Sequence, residues 1–191
     1  TFNELKRIAQ EISNELSPQI AQVNENVIVS FSDKGDFEFH LKFSGDTLVF
    51  QMHSNIVKLP KNEPILASPY FKDEENNFFG SIRVYNFLSD TIKYNRLGDQ
   101  GVLMARLLVN KEEHYHIESN IYFEHLQPSI EKNIVTDINL RFFIESSMIT
   151  AMDNDLVAPP YQNIQVVSLA QQLANNQGKA GSKLGFQMNL D

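Results

Sequence analysis

The chain contains no cysteine and no tryptophan, and no Asn-x-Ser/Thr acceptor occurs anywhere in its 191 residues. Neither a disulfide framework nor N-glycosylation is available, so the expected home is a reducing interior, the cytoplasm. Basic residues are few, 16 against 24 acidic ones, and no more than two, Lys6 and Arg7, stand together. A net charge of -8 argues against binding along a nucleic-acid backbone, which needs clustered Lys and Arg. No apolar run approaches the roughly 20 residues that span a bilayer, and Thr1-Phe2-Asn3-Glu4 lacks the basic and apolar regions of a signal peptide. Nucleic acid and membrane are therefore not expected as partners. No internal repeat is visible, which argues against solenoids and propellers.

Signatures of catalysis are also scarce. There is no Gly-x-Ser-x-Gly elbow and no cysteine nucleophile, which removes two common hydrolase routes. Gly178-Lys179-Ala180-Gly181-Ser182-Lys183 lacks the order of a phosphate-binding loop and follows a helical pattern rather than a strand. No motif calls for a cofactor. Carboxylates are plentiful, but their pairing cannot be read from spacing alone.

The sequence is rich, by contrast, in phenylalanine, with fourteen, and in periodic apolar positions. Phe2, Leu5, Ile8, Ala9, Ile12 and Leu16 recur at steps of three and four, which predicts an amphipathic helix opening near Asn3 and ending or restarting at Pro18. Val27, Val29 and Phe31, then Phe37, Phe39, Leu41 and Phe43, then Leu48, Phe50 and Met52 alternate as strands of a three-stranded antiparallel meander. Matching apolar faces pairs Phe43 with Leu48, Leu41 with Phe50 and Phe39 with Met52, and sets Glu38 against His53.

Asn55 to Asn77 carries Pro60, Pro64 and Pro69 and the acidic run Asp73-Glu74-Glu75, which predicts a long irregular crossover. Phe78 to Arg83 reads as a short strand. Val84, Phe87, Leu88, Thr91, Ile92 and Asn95 follow helical spacing, predicting a helix over Val84 to Leu97.

Val102 to Asn110 and His114 to Phe123 form the next hairpin. A two-residue loop sets Asn110 against Glu113, Leu107 against His116 and Arg106 against Ile117. After Pro128, Ile130, Ile134, Ile138, Phe142, Ile149 and Met152 define a long helix from about Ser129, with Ser129 as its N-cap. Phe143, Ile144 and Met148 lie off that stripe and need a second cover, which a two-fold homodimer interface would supply. Ile164 to Ala174 describes a shorter helix, the alternative cover. Beyond it, Leu184, Phe186, Met188 and Leu190 suit an edge strand or a mobile arm. The expected core includes Ile8, Phe39, Phe50, Leu107 and Phe142.

The expectation is an α+β fold: an antiparallel sheet, meander plus hairpin, covered mainly on one face by the N-terminal helix and the long C-terminal helix. One domain occupies residues 1–157, with 158–191 as a helix and Gly/Lys-containing tail. The one constellation of metal-ligand character is His114, His116 and Glu118, since alternate residues of one strand point the same way and neutral imidazoles bind zinc or iron. The competing reading is a solvated polar face. His125 lies nearby in sequence.

The order of helix, meander Val27 to His53, helix around Phe87 to Asn95, hairpin Ala105 to Glu118 and helix after Pro128 resembles the small acidic type III secretion chaperones and the chaperone-like domains that share their fold. The crossover Asn55 to Asn77 and the segment after Pro159 depart from that pattern. The resemblance implies a non-catalytic module that binds a protein partner or pairs with itself. The alternatives are a metal-dependent enzyme using the His-x-His-x-Glu face and a binder of a small apolar ligand between sheet and helix.

Overall fold

The computed structural model describes residues 1–119, 129–153 and 166–177. The opening apolar stripe becomes helix α1, Phe2–Val23, which buries Phe2, Leu5, Ile8, Ala9 and Ile12 along one side. The helix does not end at Pro18 but runs through it. A proline removes one N–H and crowds the carbonyl four residues back. That cost falls on a stretch where, from Ser17 onward, only Ile20 is even half-buried.

The next six strands pair in chain order. They are β1 (Ser30–Asp33), β2 (Glu38–Phe43), β3 (Asp46–Lys58), β4 (Phe78–Leu88), β5 (Gln100–Asn110) and β6 (Tyr115–Ser119), each antiparallel to its neighbour. A last strand, β7 (Val166–Ser168), pairs antiparallel with the start of β5. Among the described residues the protein is thus α+β, with an open antiparallel sheet of seven strands and an N-terminal helix.

Several expectations are corrected. The β2–β3 pairing is shifted by two residues, so that Phe39 faces Phe50, Leu41 faces Leu48 and Glu38 faces Gln51. Ser44, at φ 50°, and Gly45 make a tight two-residue turn. A shift of two keeps every side chain on its face, so alternation cannot detect it and the turn decides. The expected helix over Val84 to Leu97 is mostly strand: β4 runs to Leu88, and only Ser89–Lys93 is helical, as α2. Val84 and Phe87 are both fully buried, on opposite faces of the sheet, and this two-sided cover turned strand alternation into an apolar run that mimics a helix.

The hairpin β5–β6 is off by one. Asn110 N–H donates to the His114 carbonyl across a three-residue loop, Lys111 to Glu113, with Glu113 at φ 61°, and Arg106 faces Glu118 while Leu107 faces Ile117. A left-handed third loop residue is the usual geometry of such a loop.

The crossover is not irregular throughout. Beyond Lys58 it makes three 3-10 turns, Pro64–Ala67, Pro69–Lys72 and Glu74–Asn77. These form an arch pinned to the hairpin tip. Lys111 Nζ bridges Asp73 and Glu75 at 3.2 and 2.7 Å, and Tyr70 OH donates to Glu112 at 2.7 Å while accepting from Asn110 Nδ2 at 2.8 Å.

The long helix starts later than Ser129. Ile130–Lys132 is a single 3-10 turn, and α3 spans Asp137–Asp153. Its cap is Thr136, whose Oγ1 accepts the Asn139 N–H at 3.2 Å. Its inward face is also the opposite of the one expected: Leu140, Phe143, Ile144, Ser147, Met148 and Ala151 are buried. The final helix is α4, Leu169–Gln177. Ile164, the continuation to Phe123 and the tail from Gly178, with its strand-like residues, lie outside the described residues.

The main core lies between α1 and α3 on one side and the sheet on the other. Phe39 and Phe50 stack across β2 and β3 with ring centres 4.5 Å apart, Phe2 packs on Phe39 at 5.5 Å, and Phe143 meets Phe50 edge-on at 6.4 Å. Two smaller clusters cover the ends of the other face. Val49, Tyr85 and Phe87 pack with Leu169, Val167 and Leu173 of β7 and α4, while Phe79 and Leu108 pack with Leu59, Ile130 and residues of the arch.

Candidate functional site

Between those two clusters the second face of the sheet is polar. Strand register explains why: residues directly opposite one another share a face. The pairings Glu38–Gln51, Gln51–Arg83, Arg83–Arg106 and Arg106–Glu118 therefore align five polar side chains in one line across β2 to β6. The adjacent line runs His53–Ser81–Leu108–His116.

At one end of the first line, Glu38 is 6% exposed and Gln51 only 1%. Among its partners the Glu38 carboxylate has three described side chains: His40 Nε2 lies 2.8 Å from Oε1, while Oε2 accepts from Gln51 Nε2 at 3.3 Å and from Gln172 Nε2 at 2.7 Å. Gln172 is itself buried and belongs to α4, so the helix that covers one apolar end of this face also reaches into the polar line. A buried carboxylate needs such donors, since leaving it unpaired would cost several kcal/mol.

At the other end, Arg106 donates Nε–H and Nη2–H to Glu118 Oε2 in a half-buried pair. His116 stands beside it. Burial holds the imidazole below its usual range, outweighing the attraction of Glu118 and Glu63. It is therefore a neutral ring at neutral pH, able to donate one N–H and accept at the other nitrogen.

Arg83, in the middle, is half-buried and makes no hydrogen bond or ion pair with any described residue. Ser81, two residues along the same strand and so on the same face, is 1% exposed, and its Oγ has no hydrogen-bond partner among the described residues.

The expected metal triplet is not gathered. His114 precedes β6; its Nδ1 lies 2.9 Å from the Ile130 carbonyl oxygen, and its ring lies 4.9 Å from that of Tyr70. Glu118 is taken by Arg106, which leaves His116 without its companions. Among the described residues no three His, Asp or Glu side chains are placed to hold a metal ion. His125 lies outside the described residues.

The expected interface residues Phe143, Ile144 and Met148 are also relocated. All three are buried against the sheet and α1. The stripe expected to face inward faces out instead: Ile138 is 67%, Phe142 36%, Ile149 55% and Met152 57% exposed, with Ile134 exposed just before the helix. Sequence reasoning missed Glu38, Arg83, Arg106 and Gln172. The signal lay in the outward positions of alternating strands, but only the true register brings them into one line.

No protein-family model matches the sequence, and neither a curated protein nor a solved structure matches it.

Proposed function

We propose that the protein is a non-catalytic protein-binding module that pairs with a second copy of itself through the outer stripe of α3. The observation that carries this reading is the exposure of three large apolar residues, Ile138, Ile149 and Met152, with part of the Phe142 ring beside them, on one side of a helix whose other side is already packed. A helix apolar all round calls for cover on both sides. The stripe is self-complementary. Its members are spaced nearly symmetrically about Glu145, Ile138 and Met152 seven residues away on either side and Phe142 and Ile149 one helical turn away, so an antiparallel two-fold pairing brings Ile138 near the partner's Met152 and Phe142 near the partner's Ile149, the isologous arrangement of a two-fold interface. Arg141 and Glu145, bonded to each other at 2.8 Å, sit at the centre and offer the same charge pattern to both copies. The resemblance of the sequence to type III secretion chaperones implies the same kind of module, and the helix it expects before the hairpin is here the short Ser89–Lys93.

Light scattering on dilute protein is expected to give about twice the 21.9 kDa chain mass. Ile138→Lys with Ile149→Lys is expected to halve it while leaving the fold intact, because charge buried at an interface is costly and charge on an exposed helix is not. A parent that stays monomeric at every accessible concentration overturns the reading.

A further inference from the structure

We propose that Arg83 and its neighbours on the second face of the sheet form a binding site for a small organic monocarboxylate. This site is independent of the α3 stripe, on the opposite side of the sheet. Arg83 and Arg106 stand directly opposite each other on β4 and β5. Like charges so placed destabilise a sheet unless something neutralises them. Glu118 neutralises Arg106, and the other nearby carboxylate, Glu38, is bonded by His40, Gln51 and Gln172. The guanidinium of Arg83 is left with no anion of its own among the described residues.

A second observation points into the same place. Ser81 Oγ is buried on the same face and has no hydrogen-bond partner among the described residues, although buried hydroxyls normally have one. A carboxylate set against the planar fork of Arg83 takes two parallel N–H bonds and leaves lone pairs for the Ser81 hydroxyl, two residues along the same face of β4.

Charge selects the ligand class. Two arginines, Arg83 and Arg106, and two glutamates, Glu38 and Glu118, leave the line neutral in sum, with the Arg83 guanidinium as the cation that no described carboxylate contacts. One added negative charge beside Arg83 is therefore favoured over two, because a phosphate dianion would be repelled by the carboxylates at both ends of the line. The flanks select an organic body over a bare ion, because Leu103 and Tyr85 border the line on one side and Leu108 on the other.

The test is a titration of the isotope-labelled full chain with benzoate, followed by amide NMR at constant ionic strength, with inorganic phosphate run alongside. Benzoate is expected to bind in the millimolar range and to move the amides of Gln51, Ser81, Arg83 and Arg106 most. Arg83→Gln is expected to weaken benzoate binding about tenfold or more, the loss of a charge-assisted bidentate contact, and Arg83→Lys, which keeps the charge but not the fork, is expected to weaken it as well. The amide spectrum of each variant reports its fold directly. Absence of benzoate-dependent shifts in the parent overturns the proposal, as do shifts centred elsewhere, equal binding by Arg83→Gln, or phosphate binding more tightly than benzoate.

Discussion

Toward α1 and α3 the strands present Phe39, Leu41, Leu48, Phe50, Val84 and Leu107, each essentially fully buried; toward the other side the same strands present Glu38, Gln51, Arg83 and Arg106. The first face is held by contact area, which is non-directional and tolerant of local adjustment. The second is held by directed bonds, each needing a particular partner, as Glu38 needs His40, Gln51 and Gln172. One sheet therefore combines a face that supplies stability with a face that holds unsatisfied polar groups, and the second can exist because the first is so well packed.

The sharpest way to break this contrast is to remove a ring from the packed face. Phe39→Ala is expected to cost about 3 to 5 kcal/mol in urea unfolding, since it opens a cavity among Phe2, Phe31 and Phe50. Phe142→Ala, on the outward side of α3 and only partly covered, is expected to cost clearly less, about 1 to 2 kcal/mol. Equal losses from the two would show that α3 packs by its other stripe. A smaller effect is expected under the apolar cap of the second face. A Cβ at Gly101 would lie 2.3 Å from the Phe87 ring, so Gly101→Ala is expected to cost about 1 to 3 kcal/mol by overpacking, read as a lowered melting temperature.

The smallest expected effect lies in the polar line and depends on pH. Burial depresses the folded-state pKa of His116 below 6.5, so below that pH the unfolded chain binds more protons at this site than the folded one. Stability is therefore complete above about pH 6.5 and falls as the pH drops through and below it, well before carboxylates such as Asp33 protonate. Urea midpoints measured across that window should decline in the parent and flatten in His116→Gln. An unchanged slope in the variant would mean that His116 is not the group responsible.

How much of this was readable in advance follows from what each pattern encodes. The α1 stripe was readable because one side is buried and the other is not. The faces of β2 and β3 were readable for the same reason, and four of the five expected core residues, Ile8, Phe39, Phe50 and Leu107, are buried. Register was not: alternation repeats every two residues, so a slip of two is silent and the turn at Ser44-Gly45 settles it. Elements covered on both sides lose their period, which is why the end of β4 read as a helix. α3, apolar on both sides, offered two equally good stripes, and Phe142 was assigned to the wrong one. The Glu38–Glu118 line is a product of register across five strands, so no local pattern could announce it.

Pro18 sets a boundary in time as well as in shape. Before it, α1 is fastened to the core by Phe2, Leu5, Ile8, Ala9 and Ile12, and its peptide groups can release their protons to solvent only when the whole molecule opens. After it, the helix has lost a rung of its hydrogen-bond ladder and carries almost no buried side chain, with Val23 89% exposed. The last turn and a half is therefore expected to open on its own, without waiting for the rest of the fold. One continuous helix thus contains two clocks, and deuterium uptake along it should step at the proline rather than rise smoothly toward the end.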